Sequence, residues 1–328
     1  MALLLSQADV KQVLDMKTTM EIVERAFAEL DAGSAVLPQR TPIPVSEHAG
    51  LALFMPAYIA KMGALGAKIV TVYKENLKKH GLATVLGIIV VLDETTGKTA
   101  AVMDGGFITA MRTGAVSGIA TKYMAREDAK VAAILGSGVQ ARTQVAATCE
   151  ARSFTKYYVY SIDPPAAVDA FCRELAEKHR LPFVRAASAE AAAREADVLT
   201  LATSACEPII QRSWLKPGCH LNGVGSHAPK MRELDEATVL AARIICDLTS
   251  ACLAEAGDFI IPMNEGKWSR ECVVGDLGAV VRGKVAGRTS KNEITLFKSV
   301  GLAIQDVSTA LAVYQRAREL GVGTEFEF

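Results

Sequence analysis

The stretch KVAAILGSGVQA at 130–141 constrains the fold more than any other part of the chain. Residues 131–135 form an apolar run of strand length, and Gly136-Ser137-Gly138-Val139-Gln140-Ala141 then matches G-x-G-x-x-G/A. In that pattern Gly136 permits the tight strand-to-helix turn, Gly138 lets a pyrophosphate approach the backbone, and Ala141 lets the helix pack close to its strand. The N–H groups at the start of the following helix, over 141–150, suit phosphate oxygens. A glycine turn alone is a weak signal. Here a second strand, KYYVYS at 156–161, follows at βαβ distance, which is the context the motif requires. The chain is therefore expected to bind a dinucleotide on a doubly wound parallel α/β sheet of the Rossmann type.

The alternation continues downstream. Runs at 182–187, 197–203, 220–225 and 243–247 read as further strands, with helices at 166–179 and 189–195. The first third of the chain differs. A helix over 15–32 stops at Gly33, and Pro38, Pro42 and Pro44 mark an extended, irregular connection. Strands follow at 51–55, 64–73, 84–92 and 99–103, the last two joined by the turn Asp93-Glu94-Thr95-Thr96-Gly97. Successive strands of this kind predict an α+β domain with an antiparallel or mixed sheet, left by a helix over 108–126. A long amphipathic helix over 299–320 either caps the nucleotide domain or returns to the first one.

Bulk properties exclude several classes. Half of the 328 residues are hydrophobic, ample for sizeable cores, and 36 basic residues balance 36 acidic ones, so charge favours neither nucleic acid nor an anionic membrane. No apolar run reaches the ~18 residues of a membrane span. The N-terminal MALLLSQADVKQVL lacks a basic region and a cleavage site, and reads as a strand or turn entering a helix. Seven cysteines, odd in number and without a CxxC pair, suit reduced thiols in a cytoplasm. Cys219-His220 invites a metal, but neighbours in a strand face opposite ways and no second ligand pair accompanies them, so no metal is expected.

Four positions carry candidate chemistry. The acid that binds an adenosine ribose should lie about 20 residues beyond the glycine turn. Counting lands on Ser161, with Asp163 two residues later. A serine there would spare a 2′-phosphate, which leans towards NADPH, whereas Asp163 bending back to a ribose would favour NADH; the cofactor is read as NAD(P)H. Lys68 interrupts the apolar strand Leu65-Gly66-Ala67-Lys68-Ile69-Val70, either as an edge residue snorkelling to water or as a functional ammonium. Arg112, just after Asp104-Gly105-Gly106, offers a planar fork for a carboxylate, with a surface ion pair as the alternative. His227 follows a strand end at Asn222-Gly223-Val224-Gly225-Ser226, where ligands of open α/β sheets bind, and suits proton transfer unless it is structural.

Together, Phe54-Met55-Pro56-Ala57-Tyr58, Gly66-Ala67-Lys68-Ile69-Val70, Met111-Arg112-Thr113-Gly114-Ala115, the glycine turn, Asn222-Gly223-Val224-Gly225 with Arg232-Glu233-Leu234-Asp235, and Thr295-Leu296-Phe297-Lys298-Ser299-Val300-Gly301 resemble the ornithine cyclodeaminase/μ-crystallin family. The resemblance runs in order over nearly the whole chain. It implies a homodimer, a substrate-binding and dimerisation domain over 1–125 joined by 299–328, and a Rossmann domain over 126–298. It also gives Lys68 and Arg112 substrate positions, adds Arg40 as a second carboxylate contact, and sets Thr113, Gly225, Ser226, Lys298, Ser299 and Gly301 at the cofactor beside Gly136, Ser137, Gly138, Val139, Gln140, Ser161 and Asp163.

Two departures narrow the activity. Cyclodeaminases and the related alanine dehydrogenases carry an aspartate where this chain has His227, and cyclodeaminases a glutamate where it has Leu53. Both carboxylates help handle an amino substrate. A reductase of a preformed cyclic imine needs only to hold the α-carboxylate, keep the nitrogen protonated and present the nicotinamide. The expected reaction is NAD(P)H-dependent reduction of Δ1-pyrroline-2-carboxylate or Δ1-piperideine-2-carboxylate to proline or pipecolate, with Lys68 and His227 handling the proton. The alternatives are an ornithine cyclodeaminase or alanine dehydrogenase, and, from another class, a μ-crystallin-like protein that binds a small ligand under NADP control.

Overall fold

In the computed structural model, which describes residues 1–328, the chain divides into two compact units: Met1–Arg112 with Leu302–Phe328, and Thr113–Gly301. The first unit contains strands β1 (Ala2–Leu5), β2 (Ala35–Val36), β3 (Thr41–Val45), β4 (Gly50–Ile59), β5 (Ala64–Tyr73), β6 (Val85–Leu92) and β7 (Thr99–Asp104), with a last strand at Thr324–Phe326. Their order is last strand-β1-β7-β6-β5-β4-β2, with β3 also paired to β4. The run from β4 to β7 is antiparallel, while β1 lies parallel to β7, so the sheet is mixed.

The proline-rich connection is more regular than expected. Thr41–Val45 pairs antiparallel with β4, Pro42 opposite Leu53 and Pro44 opposite Leu51. Two residues apart, both prolines turn their ring nitrogens away from β4, to an edge where no donor is needed.

Along β5 buried and half-buried residues alternate, as a strand with one covered face requires. The covered face holds Gly66, Lys68 and Val70, and helix Ala303–Leu320 packs across β4, β5 and β6. The C-terminal helix thus belongs to the first unit, where Ala310, Val313 and Ala317 join Leu3, Leu5, Ile89, Val91 and Met103 in one core. The opposite face is apolar and open in the single chain. Phe54 lies opposite Ile69 and Ile69 opposite Ile88, while the neighbouring row runs Ile43, Ala52, Thr71, Leu86. Of these, Ile43, Phe54, Leu86 and Ile88 are between 39% and 47% exposed.

The second unit contains β8 (Val131–Leu135), β9 (Lys156–Tyr160), β10 (Phe183–Arg185), β11 (Val198–Leu201), β12 (His220–Gly223), β13 (Arg243–Cys246), β14 (Val273–Asp276) and β15 (Thr295–Lys298). All pairs are parallel, in the order β10-β9-β8-β11-β12-β15-β13-β14. The order reverses between β8 and β11, the switch point at which open α/β sheets bind ligands. Side chains of β8 alternate between two cores: Ala132 and Ile134 pack with Tyr157 and Phe171, Ala133 and Leu135 with Leu199 and Leu221. Strands β14 and β15 were not foreseen. Each has four residues, and the wholly buried Thr-Leu-Phe-Lys of β15 shows no alternation to distinguish it from other apolar runs.

Candidate functional site

In the first unit three charged side chains meet under the C-terminal helix. Lys68 sits mid-strand on β5, opposite Met55 and Ile89, and is 1% exposed. Its Nζ lies 2.8 Å from Oδ2 of Asp306, in the first turn of helix Ala303–Leu320. The other oxygen of Asp306 accepts a hydrogen bond from Arg112 Nε at 2.9 Å, and Arg112 Nη1 donates to Gln305 Oε1 at 2.7 Å. One carboxylate therefore holds two cations that stand 44 residues apart in sequence, without neutralising both.

The electrostatics follow from that imbalance. Burial is the largest influence on Lys68 and, with the positive charge of Arg112, lowers its pKa to about 7; Asp306 pulls the other way and Arg40 adds a smaller downward push. Arg40 lies between β2 and β3 in the same unit. Two cations against one carboxylate leave the cluster with a net positive charge, which favours an anionic ligand. Of the two readings of Lys68 from sequence, the snorkelling one is excluded by its burial.

In the second unit the glycine turn has the shape a dinucleotide requires. Gly136 has φ of +112°, and a Cβ there would come within 2.6 Å of the Ala202 carbonyl, so both backbone conformation and space demand glycine. Beside Gly138 a Cβ would meet nothing within 4 Å, which leaves open backbone at the turn. Helix Val139–Ala151 starts there without a side-chain cap, so its first N–H groups suit a pyrophosphate. Ala141 is fully buried against the strand. Asp163, exposed just beyond β9, accepts hydrogen bonds from Ser137 Oγ and from Ser161 Oγ, the latter at 2.8 Å. Those two bonds hold its pKa below the usual carboxylate value. Ser161 thus serves the carboxylate and does not replace it. These residues fit a nicotinamide dinucleotide.

The loops at the ends of β12 and β15 are tied down by buried acids. Glu233 accepts from Gly225 N at 2.9 Å and Ser226 N at 3.2 Å with one oxygen, and from Thr203 N and Oγ1 at 2.9 and 2.7 Å with the other. Burial raises its pKa, with Asp258 adding to the effect. Lys298 is wholly buried, 3.0 Å from Asp258 and donating to the Gly223 carbonyl at 3.1 Å. Burial acts to lower its pKa, but Asp258 and Glu233 raise it above the ordinary value. Asp247 accepts from Ser299 Oγ, Val300 N and Gly301 N at 2.7, 2.9 and 2.8 Å. The side chains of Ser226, Lys298 and Ser299 are thus engaged inside the protein, Ser226 Oγ donating to Met231 O at 2.6 Å. Thr113 offers its carbonyl to Gln144 Nε2 at 2.8 Å.

His227 is exposed, with ring Nδ1 2.7 Å from the Gly225 carbonyl. A carbonyl only accepts, so Nδ1 carries the proton and Nε2 is the basic nitrogen of the neutral ring.

Sequence reasoning missed Asp306 and Gln305, and with them Asp247 and Asp258. The available signal was a charged residue inside the otherwise apolar Val300-Gly-Leu-Ala-Ile-Gln-Asp-Val, which has no business in a buried helix face unless paired.

The model of the ornithine cyclodeaminase/mu-crystallin family matches residues 1–321. A Delta(1)-pyrroline-2-carboxylate reductase of Bacillus cereus is 37% identical over 327 residues, covering 99% of this chain and 100% of the relative. A solved structure of the Delta(1)-pyrroline-2-carboxylate reductase of Thermococcus litoralis, in complex with NADH and L-proline, is similar with a TM-score of 0.96 and 46% identity, covering 99% of this chain and 100% of that one. An archaeal alanine dehydrogenase dimer with bound NAD follows at a TM-score of 0.94 and 33% identity, covering 100% and 99%.

Proposed function

This chain belongs to the ornithine cyclodeaminase/mu-crystallin family and is an NAD(P)-dependent oxidoreductase, and from that premise we propose that it reduces Δ1-pyrroline-2-carboxylate to L-proline with NADH. The observation that carries the proposal is the buried Lys68–Asp306–Arg112 cluster, an anion pocket with an ammonium poised near neutrality. Arg112, with Arg40, binds the substrate carboxylate and so fixes the ring. Asp306 holds Lys68 and Arg112 in place by accepting from both. Bound NADH supplies the hydride for the imine carbon. Lys68 keeps a proton at the imine nitrogen, which makes that carbon electrophilic. His227, whose Nδ1 is tied to the Gly225 carbonyl, offers Nε2 as a proton-relay group. Glu233 and Asp247 act by positioning the Gly225–Ser226 and Ser299–Gly301 backbones, which would line the nicotinamide site.

NADH is favoured over NADPH because the Asp163 carboxylate offers an acceptor for a ribose 2′-hydroxyl and repels a 2′-phosphate. This reverses the lean drawn from Ser161. A homodimer is favoured by the open apolar face that carries Ile43, Phe54, Leu86 and Ile88, because contiguous exposed apolar side chains mark an interaction surface. No helix is long and apolar enough to cross a membrane.

The test is oxidation of NADH and NADPH with Δ1-pyrroline-2-carboxylate and Δ1-piperideine-2-carboxylate, beside ornithine and pyruvate-plus-ammonia. Rapid NADH oxidation with the five-membered imine is expected. Activity only in a control reaction would return the protein to the cyclodeaminases or dehydrogenases, and silence throughout would make it a binder.

A further inference from the structure

Beside Arg112 lies a polar group that the mechanism above does not use. Gln305 is fully buried, and its Oε1 accepts from Arg112 Nη1 at 2.7 Å. Its Nε2 is buried as well and has no partner. That state is costly: an unsatisfied buried amide donor loses its hydration and gains nothing in return. The orientation of the amide is not arbitrary, since flipping it would set an NH2 against a guanidinium that only donates. A donor is therefore held next to Arg112, where two cations share the single carboxylate of Asp306. Thr309 Oγ1, one helical turn further along the same face, is also buried without a partner.

We propose that Gln305 is a further substrate-binding residue: its Oε1 aims Arg112, and its Nε2–H donates to the carboxylate that Arg112 holds. A glutamine does both tasks at once, accepting from the guanidinium and donating to the ligand. A glutamate would hold Arg112 more strongly but cancel the positive charge that draws the ligand in. The residue therefore sets a selectivity for carboxylates over neutral rings of the same shape. This inference rests on the proposed reading that the Arg112 pocket takes a carboxylate, but its test does not require turnover.

The probes are pyrrole-2-carboxylate, a flat ring carboxylate that cannot be reduced as an imine, and its neutral carboxamide. Binding of each is measured calorimetrically with the wild type, Gln305→Leu and Gln305→Glu. A hydrogen bond to a charged group predicts that Gln305→Leu weakens the carboxylate by about 10- to 100-fold and the carboxamide much less. Gln305→Glu should weaken the carboxylate at least as far. Equal weakening of both probes would reduce Gln305 to a structural part and overturn the proposal. A crystal structure with pyrrole-2-carboxylate decides the geometry: Nε2 within hydrogen-bond distance of a carboxylate oxygen supports the proposal, and Nε2 turned to Thr309 Oγ1 overturns it. If the wild type binds neither probe, the carboxylate-pocket reading itself fails, a result distinct from a selective effect at Gln305.

Discussion

Binding a carboxylate should draw a proton onto the enzyme. In the free protein the Lys68 ammonium has a pKa of about 7, because burial and Arg112 oppose its charge. At pH 8 only about one-tenth of the molecules then carry the proton. A carboxylate bound against Arg112 adds an opposite charge nearby, which raises a base's pKa by about 1–3 units. Lys68 would then titrate between roughly 8 and 10, and between about half and nearly all molecules would be protonated at pH 8. The expected uptake is about 0.4–0.9 proton per ligand bound. It is measured by titrating pyrrole-2-carboxylate into the protein in Tris and in phosphate, buffers of very different ionisation enthalpy, and comparing the heats. At pH 6, where Lys68 is already charged, the uptake should nearly vanish. The variant Lys68→Met should lose it at pH 8, with unchanged NADH binding as the control for folding. Zero uptake at pH 8, or undiminished uptake in Lys68→Met, would refute the assignment of the proton to Lys68. The same titration predicts that kcat/KM falls as pH rises through about 7, since only the ammonium serves the imine.

Four further changes test other parts of the structure. Asp306→Asn removes the acid shared by Lys68 and Arg112; breaking a buried pair costs about 3–5 kcal/mol, so melting should fall by roughly 5–10 °C, and the alkaline-side activity limb should move below pH 7. Because Lys68 relieves part of the loss by shedding its proton, the smaller shift is expected at high pH. Asp163→Ser should lower the NADH-to-NADPH ratio of kcat/KM at least tenfold, about 1.4 kcal/mol, and an unchanged ratio would remove Asp163 from the ribose site. Gly136→Ala, at φ +112° and facing the Ala202 carbonyl, should destabilise the protein by about 2 kcal/mol and weaken NADH, read by thermal melting and fluorescence titration. Ile88→Glu puts a charge on the open sheet face and should convert a dimer to monomer in light scattering; a dimer that persists would place the interface elsewhere.

What could be read from sequence divides along range. Strand β5, strand β8 and helix Ala189–Glu195 have the bounds that local apolar patterning predicts, and the turn from Gly136 to Ala141 has the geometry its residue types dictate. Those signals are confined to a few neighbouring residues. Thr41–Val45 was hidden because proline opposes strand formation except at an edge, and edges are a property of the sheet. Asp306 was hidden because its partners, Lys68 and Arg112, are far away in sequence and only the return of the C-terminal helix unites them. Lys68 was ambiguous for the same reason: whether a lysine on a strand reaches water depends on what covers that face. Asp163 illustrates the intermediate case, where counting found the segment but only the bonds from Ser137 and Ser161 distinguish the acid from the hydroxyl.

The first unit is built from the two ends of the chain, with residues Thr113–Gly301 in between. During synthesis, β1 to β7 leave the ribosome long before helix Ala303–Leu320 exists, so the face bearing Lys68 and Ile89 has no cover while nearly 200 further residues are made. The second unit waits as well, because β15, among its last residues, is inserted between β12 and β13. Such long-range closures are slow, since the entropy of ordering the chain is lost before the contacts that reward it can form. Loss of the final turns of the helix would therefore act at the birth of the protein, leaving the sheet to be held by chaperones or degraded. Mutations near residue 310 should accordingly show themselves in yield at higher growth temperature before they show in the activity of the molecules that do fold.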